Sequence, residues 1–131
     1  MKTDIDIKDD IYNYIKESEL ANTVTGSLSK TLRPDKSNAE DIVISILANP
    51  NGQIQESFVN VNIYVADVQK GTQFIEDTLR LRELCTMASE LLDRGRGECY
   101  RFSLDEQRVL EVPGTNEHVI NNKLLYKFSK A

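Results

Sequence analysis

Tryptophan is absent from this chain of 131 residues, histidine occurs once and cysteine twice. Each scarcity excludes something. A lone histidine, His118, with no clustered cysteines cannot build a common zinc site. Two cysteines, Cys85 and Cys99, do not make a disulfide framework, and free cysteine packs as a small hydrophobe. Their use suits a reducing setting. With aromatics at 7%, the core must come mostly from Ile, Leu and Val. No apolar run approaches the length of a membrane span. The acidic start Met1-Lys2-Thr3-Asp4-Ile5-Asp6 lacks the apolar stretch of a signal peptide.

Positive charge is also short, at a formal net of −5. That disfavours long-range attraction to bulk nucleic acid, which needs concentrated Lys and Arg. The charge is uneven: residues 1–79 carry a net of −6 and residues 80–131 a net of +1. What remains is 40% hydrophobic and 28% charged, a globular composition of a size that suits one domain over 1–131.

The order of elements is the strongest signal. Asp9 and Asp10 suggest a helix start, with Ile11, Tyr14 and Ile15 on one face and an end at Ser18 or Asn22. Thr23 to Leu32 reads as a strand, with Gly26 as a candidate bulge. Arg33-Pro34-Asp35-Lys36-Ser37-Asn38 is a charged loop broken by proline, and its few apolar anchors predict mobility in the free subunit. Ile42 to Leu47 is apolar on both faces, as in a central strand. Asn49-Pro50-Asn51-Gly52 is a turn. It leads into a strand over about Gln53 to Asp67, whose face Val59, Val61, Ile63, Val65 is clean. The opposite face mixes Phe58 and Tyr64 with Asn60 and Asn62.

Gly71-Thr72 predicts the start of a long helix over Gln73 to Asp93, with Thr72 as its cap. Its apolar stripe runs from Phe74 and Ile75 through Leu84 to Leu91 and Leu92. Arg94-Gly95-Arg96-Gly97 reads as its stop, with glycine in the left-handed conformation and arginine against the negative end of the dipole. Strands follow over Cys99 to Val112, with a turn or bulge at Asp105-Glu106-Gln107, and over His118 to Phe128. The fold class is α+β: a mostly antiparallel sheet packed on one long helix, with a short N-terminal helix.

Catalytic chemistry is thin. The acidic pairs Asp9-Asp10, Glu40-Asp41, Glu76-Asp77 and Asp105-Glu106 make poor dyads where they lie on helices, since adjacent side chains diverge there. They read as solvated charges, with Glu40-Asp41 guarding an apolar strand against aggregation. Arg94-Gly95-Arg96-Gly97 is too short for a nucleic-acid segment and forms no phosphate-binding loop. No catalytic residue, metal ligand or cofactor is assigned, and the chain is read as a non-enzyme. Arg33, Lys36, Arg94 and Arg96 punctuate an acidic chain at element ends. They are the candidate contacts to an acidic neighbour, and reversing Arg33 and Lys36 should slow association without unfolding the domain.

The stretch Ile11-Tyr12-Asn13-Tyr14-Ile15-Lys16, then Val24-Thr25-Gly26-Ser27-Leu28 and Arg33-Pro34, resembles the opening of small tail-terminator and tail-completion proteins of long-tailed bacteriophages. The apolar hairpin ending in Phe58 to Val65, the long helix and the closing strands continue the likeness. The resemblance implies a structural virion protein that forms a ring, commonly a hexamer, on the end of the tail tube. Its partners would be copies of itself, the tail-tube protein and the head–tail connector. Its location would be the host cytoplasm during assembly, then the virion. Three other readings stay open: a neck or head–tail connector protein, a cellular small-ligand-binding α+β domain and, least favoured for its poor catalytic inventory, an enzyme.

Overall fold

The computed structural model describes residues 2–49 and 56–128. Helix α1 (Asp4–Ile15) and the short α2 (Glu19–Thr23) come first, then strands β1 (Leu28–Lys30), β2 (Ile42–Ala48) and β3 (Glu56–Ala66). A small hairpin of β4 (Val68–Lys70) and β5 (Gln73–Ile75) leads into helix α3 (Thr78–Leu92). Strands β6 (Arg94–Arg96), β7 (Tyr100–Val112) and β8 (Glu117–Phe128) close the fold. Six of the strands form one sheet in the order β1-β2-β3-β8-β7-β6. Only β1 and β2 pair in parallel, so the α+β reading with a mostly antiparallel sheet holds.

One face of this sheet carries the core. Ile7, Ile11 and Ile15 of α1 recur at helical spacing and are fully buried. Leu81, Leu84, Ala88 and Leu92 of α3 do the same. They meet Ile42 and Ile44 of β2, the alternating Val59, Val61, Ile63 and Val65 of β3, and Ile120, Leu124 and Tyr126 of β8. Period-two alternation therefore selects the buried face of β3 as the sequence indicates. The other face of β3 is half-buried, and there the Asn121 amide donates to Asn60 Oδ1 at 3.1 Å and Asn62 Oδ1 at 2.7 Å.

Four aromatics, Tyr14, Tyr100, Phe102 and Tyr126, meet in one corner. Tyr14 of α1 meets Phe102 edge-on at 4.9 Å, and Tyr100 stacks on Tyr126 at 5.5 Å. The Tyr126 hydroxyl donates to Asp10 Oδ2 at 2.6 Å, and burial, with that bond, pushes its pKa well up. These rings fasten α1 to the ends of β7 and β8.

Several boundaries differ from the sequence expectation. Helix α1 starts at Asp4, not at Asp9-Asp10. Thr3 and Asp6 form a reciprocal capping box, and the hydrogen bonds from Thr3 hold the Asp6 carboxyl below its usual range. Ser18 caps α2 instead of ending α1. Strand β2 lies inside the sheet between β1 and β3, buried on both faces over Ile42 to Ile44 as expected, but its end emerges into solvent at Leu47. The residues Pro50 to Gln55, with most of the expected turn, lie outside the described residues. The hairpin itself is present, with Ile42 opposite Ile63 and Ile46 opposite Val59.

Helix α3 starts at Thr78 on an Asp77 cap, not at Gln73 on Thr72. Gly71, with a φ of +62°, instead turns the β4–β5 hairpin. At the other end the helix closes on Asp93 in the right-handed conformation, so the glycine stop is corrected too. The chain runs straight into β6. Gly95 is needed for a different reason: a Cβ there would sit 2.1 Å from Cζ of Phe102. The irregularity at Asp105 is borne out as a register shift between Leu104 and Glu106. Gln107 beside it donates to Asn122 Oδ1 at 2.7 Å and to the Cys85 carbonyl at 3.0 Å, satisfying a fully buried asparagine.

Candidate functional site

Adjacent strand residues point to opposite faces. Glu40 and Asp41, at the entry to β2, use this to hold one arginine on each side of the sheet. On the helix side Glu40 accepts two hydrogen bonds from Arg80 of α3, at 2.7 and 2.6 Å. Arg80 also donates to the Thr23 carbonyl at 3.0 Å, tying α2, α3 and β2 together. On the open side Arg33 Nε donates to Asp41 Oδ2 at 2.7 Å, and its other nitrogens reach Glu117 at 2.9 and 2.5 Å. The guanidinium lies 4.3 Å from the centre of the Tyr64 ring. Gly26 completes the corner, since a Cβ there would meet Asp41 Oδ1 at 2.2 Å.

Two expectations change here. Glu40 and Asp41 are buried ion-pair acceptors, not solvated gatekeepers. The acidic partners of Arg33 belong to its own chain. The loop after it is also pinned, because the Ser37 hydroxyl donates to Asp41 and accepts from the Ala39 N–H. Its few apolar anchors suggest mobility, but polar side chains fasten it, mostly to near neighbours in the chain and through Arg33 to Glu117. Lys36 stands exposed on this loop with a φ of +57°.

Burial opposes ionisation of Asp41, but hydrogen bonds from Ser37, Arg33 and the Ser27 N–H outweigh it and lower its pKa from 3.8. A depressed folded-state pKa means the unfolded chain binds more protons in this range. The stability Asp41 contributes is thus complete above its unfolded pKa and is lost as pH falls through the folded value. Denaturation followed by circular dichroism should show stability dropping below about pH 4. Asp41→Asn should flatten that limb; an unchanged slope would remove Asp41 as its source.

The other acidic pairs are also fastenings. Asp9 pairs with Lys30 and Asp10 with Lys2. Asp77 caps α3, and Glu76 Oε2 lies 3.9 Å from His118 Nε2. Asp105 and Glu106 pair with Lys123 and Arg108 at the bulge. His118 Nδ1 contacts Asp67 Oδ1 at 2.7 Å, linking β8 to the start of the small hairpin. Sequence reading missed Asp67, whose only signal is its place at the end of β3. Both cysteines are free and half-buried, and burial pushes the Cys85 thiol up. Among the described residues no group of three His, Cys, Asp or Glu is placed to hold a metal. No described helix is long and apolar enough to cross a membrane.

Arg94 and Arg96 sit elsewhere, so the four predicted contact residues do not come together. Arg33 and Lys36 lie near the end of the sheet where β8 begins. Arg94 and Arg96 lie on the edge strand β6, beside the last turn of β8. There a groove of about 610 Å³ is lined by Arg94, Arg96, Arg101, Lys127 and one acid, Glu98, with Phe102 and Tyr14 among its apolar walls. Arg94 opposes Ser103 and Arg96 opposes Arg101, which puts the three arginines on one face. None of the three has an ion-pair partner among the described residues. Gly97 N–H bonds inward to Tyr100 and Asp93 carbonyl accepts from Leu104. By antiparallel alternation the backbone groups of Arg94 and Arg96 face outward. Of these, the Arg94 carbonyl accepts a long 3.4 Å bond from Tyr14. The site is an open strand edge flanked by unpaired positive charge on an acidic protein. Neither a protein-family model nor a curated protein matches this chain.

Proposed function

We propose that this chain is a structural assembly protein of a long-tailed bacteriophage, which caps the tail tube as a ring and helps join tail to head. Its role is to present contact surfaces rather than to catalyse, in the host cytoplasm and then in the virion. The observation that carries the reading is the β6 edge, where outward backbone groups and three unpaired arginines await a partner. A closed ring needs two different surfaces on each copy, and an open edge supplies one. The order of helix, sheet, long helix and closing strands supports the same reading. The test is to add the purified protein to polymerising tail-tube subunits and measure tube length by electron microscopy. Capping should shorten and narrow the length distribution, and tubes of unchanged length would sink the proposal.

The groove keeps a second reading in view. Its volume falls within the roughly 300–1,000 Å³ of small-molecule sites. A strict monomer that binds a small anion there would favour a ligand-binding domain.

A further inference from the structure

The β4–β5 hairpin stands apart from the six-stranded sheet, and every residue of both strands is exposed. An isolated two-stranded hairpin is marginal in water. This one nevertheless presents Val68, Phe74 and Ile75 to solvent at 39%, 46% and 38% exposure. Leu79, on the first turn of α3, adds another apolar side chain at 76%. Such a cluster on one projection marks a contact surface.

The hairpin leaves the sheet where β3 ends and β8 begins. The basic groove lies where β8 ends. At about 3.3 Å per residue, β8 separates them by roughly 35 Å. One copy cannot bring its own hairpin to its own groove.

We propose that the β4–β5 arm of one copy docks in the Arg94–Arg96 groove of the next, adding a strand to the edge of its sheet. This rests on the assembly reading above and supplies the contact. The register Gln69 to Phe74 and Val68 to Ile75 sets Phe74 on one face of the arm and Ile75 on the other. Glu76 follows just past the strand, half-exposed and 3.9 Å from His118 of its own chain. A strand laid along β6 would present an aromatic ring, with the Glu76 carboxylate beyond its end. On the face of Arg94, Arg96 and Arg101 the groove offers Leu125 as an apolar wall, while Phe102 and Tyr14 close it from the core side of β6. Lys70 pairs with Gln73 on the Ile75 face, away from these arginines. Backbone pairing supplies affinity and the alternating side chains supply register. Because arm and groove are different surfaces, the contact is heterologous and repeats from copy to copy until it closes.

Two variants of the full chain test this, Phe74→Asp in the arm and Arg94→Glu/Arg96→Glu in the groove. Sedimentation velocity would give their masses, with circular dichroism as the folding control. Wild type should assemble as concentration rises, while each variant alone should stay at 14.9 kDa. An equal mixture should form a dimer and nothing larger, since one intact arm meets one intact groove. A mixture that stays monomeric, or a variant that still assembles, would overturn the docking. So would a wild type that never self-associates, or one whose groove instead binds an oligonucleotide in an Arg94- and Arg96-dependent way. Wild type that caps tubes without arm docking would leave the tail reading standing on another contact. Arm docking without capping would do the reverse.

Discussion

Replacing Arg33 by alanine should destabilise the domain by about 3–5 kcal/mol, because it leaves two buried carboxylates without their cation. The side chains of Asp41 and Glu117 are 2% and 5% exposed. Arg33 also donates to the Ala39 carbonyl at 2.8 Å, so the loop would lose its anchor. Desolvation limits what an intact buried pair contributes, but removal of one partner exposes the whole penalty. The direction of the Arg33 shift agrees: its hydrogen bonds to Glu117 raise its pKa. A urea titration measures the effect. Reversal to glutamate should be worse, which corrects the expectation that this change slows association in a folded domain. A folded Arg33→Glu protein of wild-type stability would refute the buried clamp.

Leu84→Ala should cost about 2–5 kcal/mol, the range for a large buried aliphatic side chain cut to a methyl. Leu84 is fully buried on α3, between turns carrying Leu81 and Ala88, and faces the sheet. Leu91→Ala should cost less, since Leu91 only packs against the margin of the core. Chemical denaturation of both variants gives the comparison. Equal losses, or a loss near zero at Leu84, would mean that the helix presents a different face.

The parts of the fold legible in the sequence were those set by local periodicity. Val59, Val61, Ile63 and Val65 declare a one-sided strand, and Leu84 to Leu92 declare a helix face. The start of α3 was not legible, because Phe74 and Ile75 extend an apolar run that looks helical. They are exposed strand residues on the arm, and apolar character alone does not separate the two cases. The neighbours of Gly95 make it look like a helix stop. Its real constraint is the Phe102 ring across the ladder, which only the pairing of β6 with β7 reveals.

The candidate contacts divided for the same reason. Arg33 looked like Arg94 in sequence: a cation at an element end in an acidic chain. Glu117, its partner, lies 84 positions away. Period-two geometry at Glu40-Asp41 did hold a clue, since two adjacent acids entering a strand face opposite ways. Arg94 and Arg96 gained companions, Arg101 and Lys127, that sequence reading had not grouped with them. Their signal was the strand pairing itself.

Arg33 and Arg80 hold the fold through buried carboxylates, whereas Arg94 and Arg96 are proposed to hold a neighbouring copy. The most direct measurement records mass by light scattering and thermal unfolding on one sample of Arg94→Glu/Arg96→Glu at low ionic strength. Exposed substitutions away from the core usually change stability by no more than about 0.5 kcal/mol. The variant should show an unfolding transition like that of wild type together with the mass of a single chain. Wild-type assembly by this variant, or a transition collapsed as for Arg33→Ala, would contradict that division of roles.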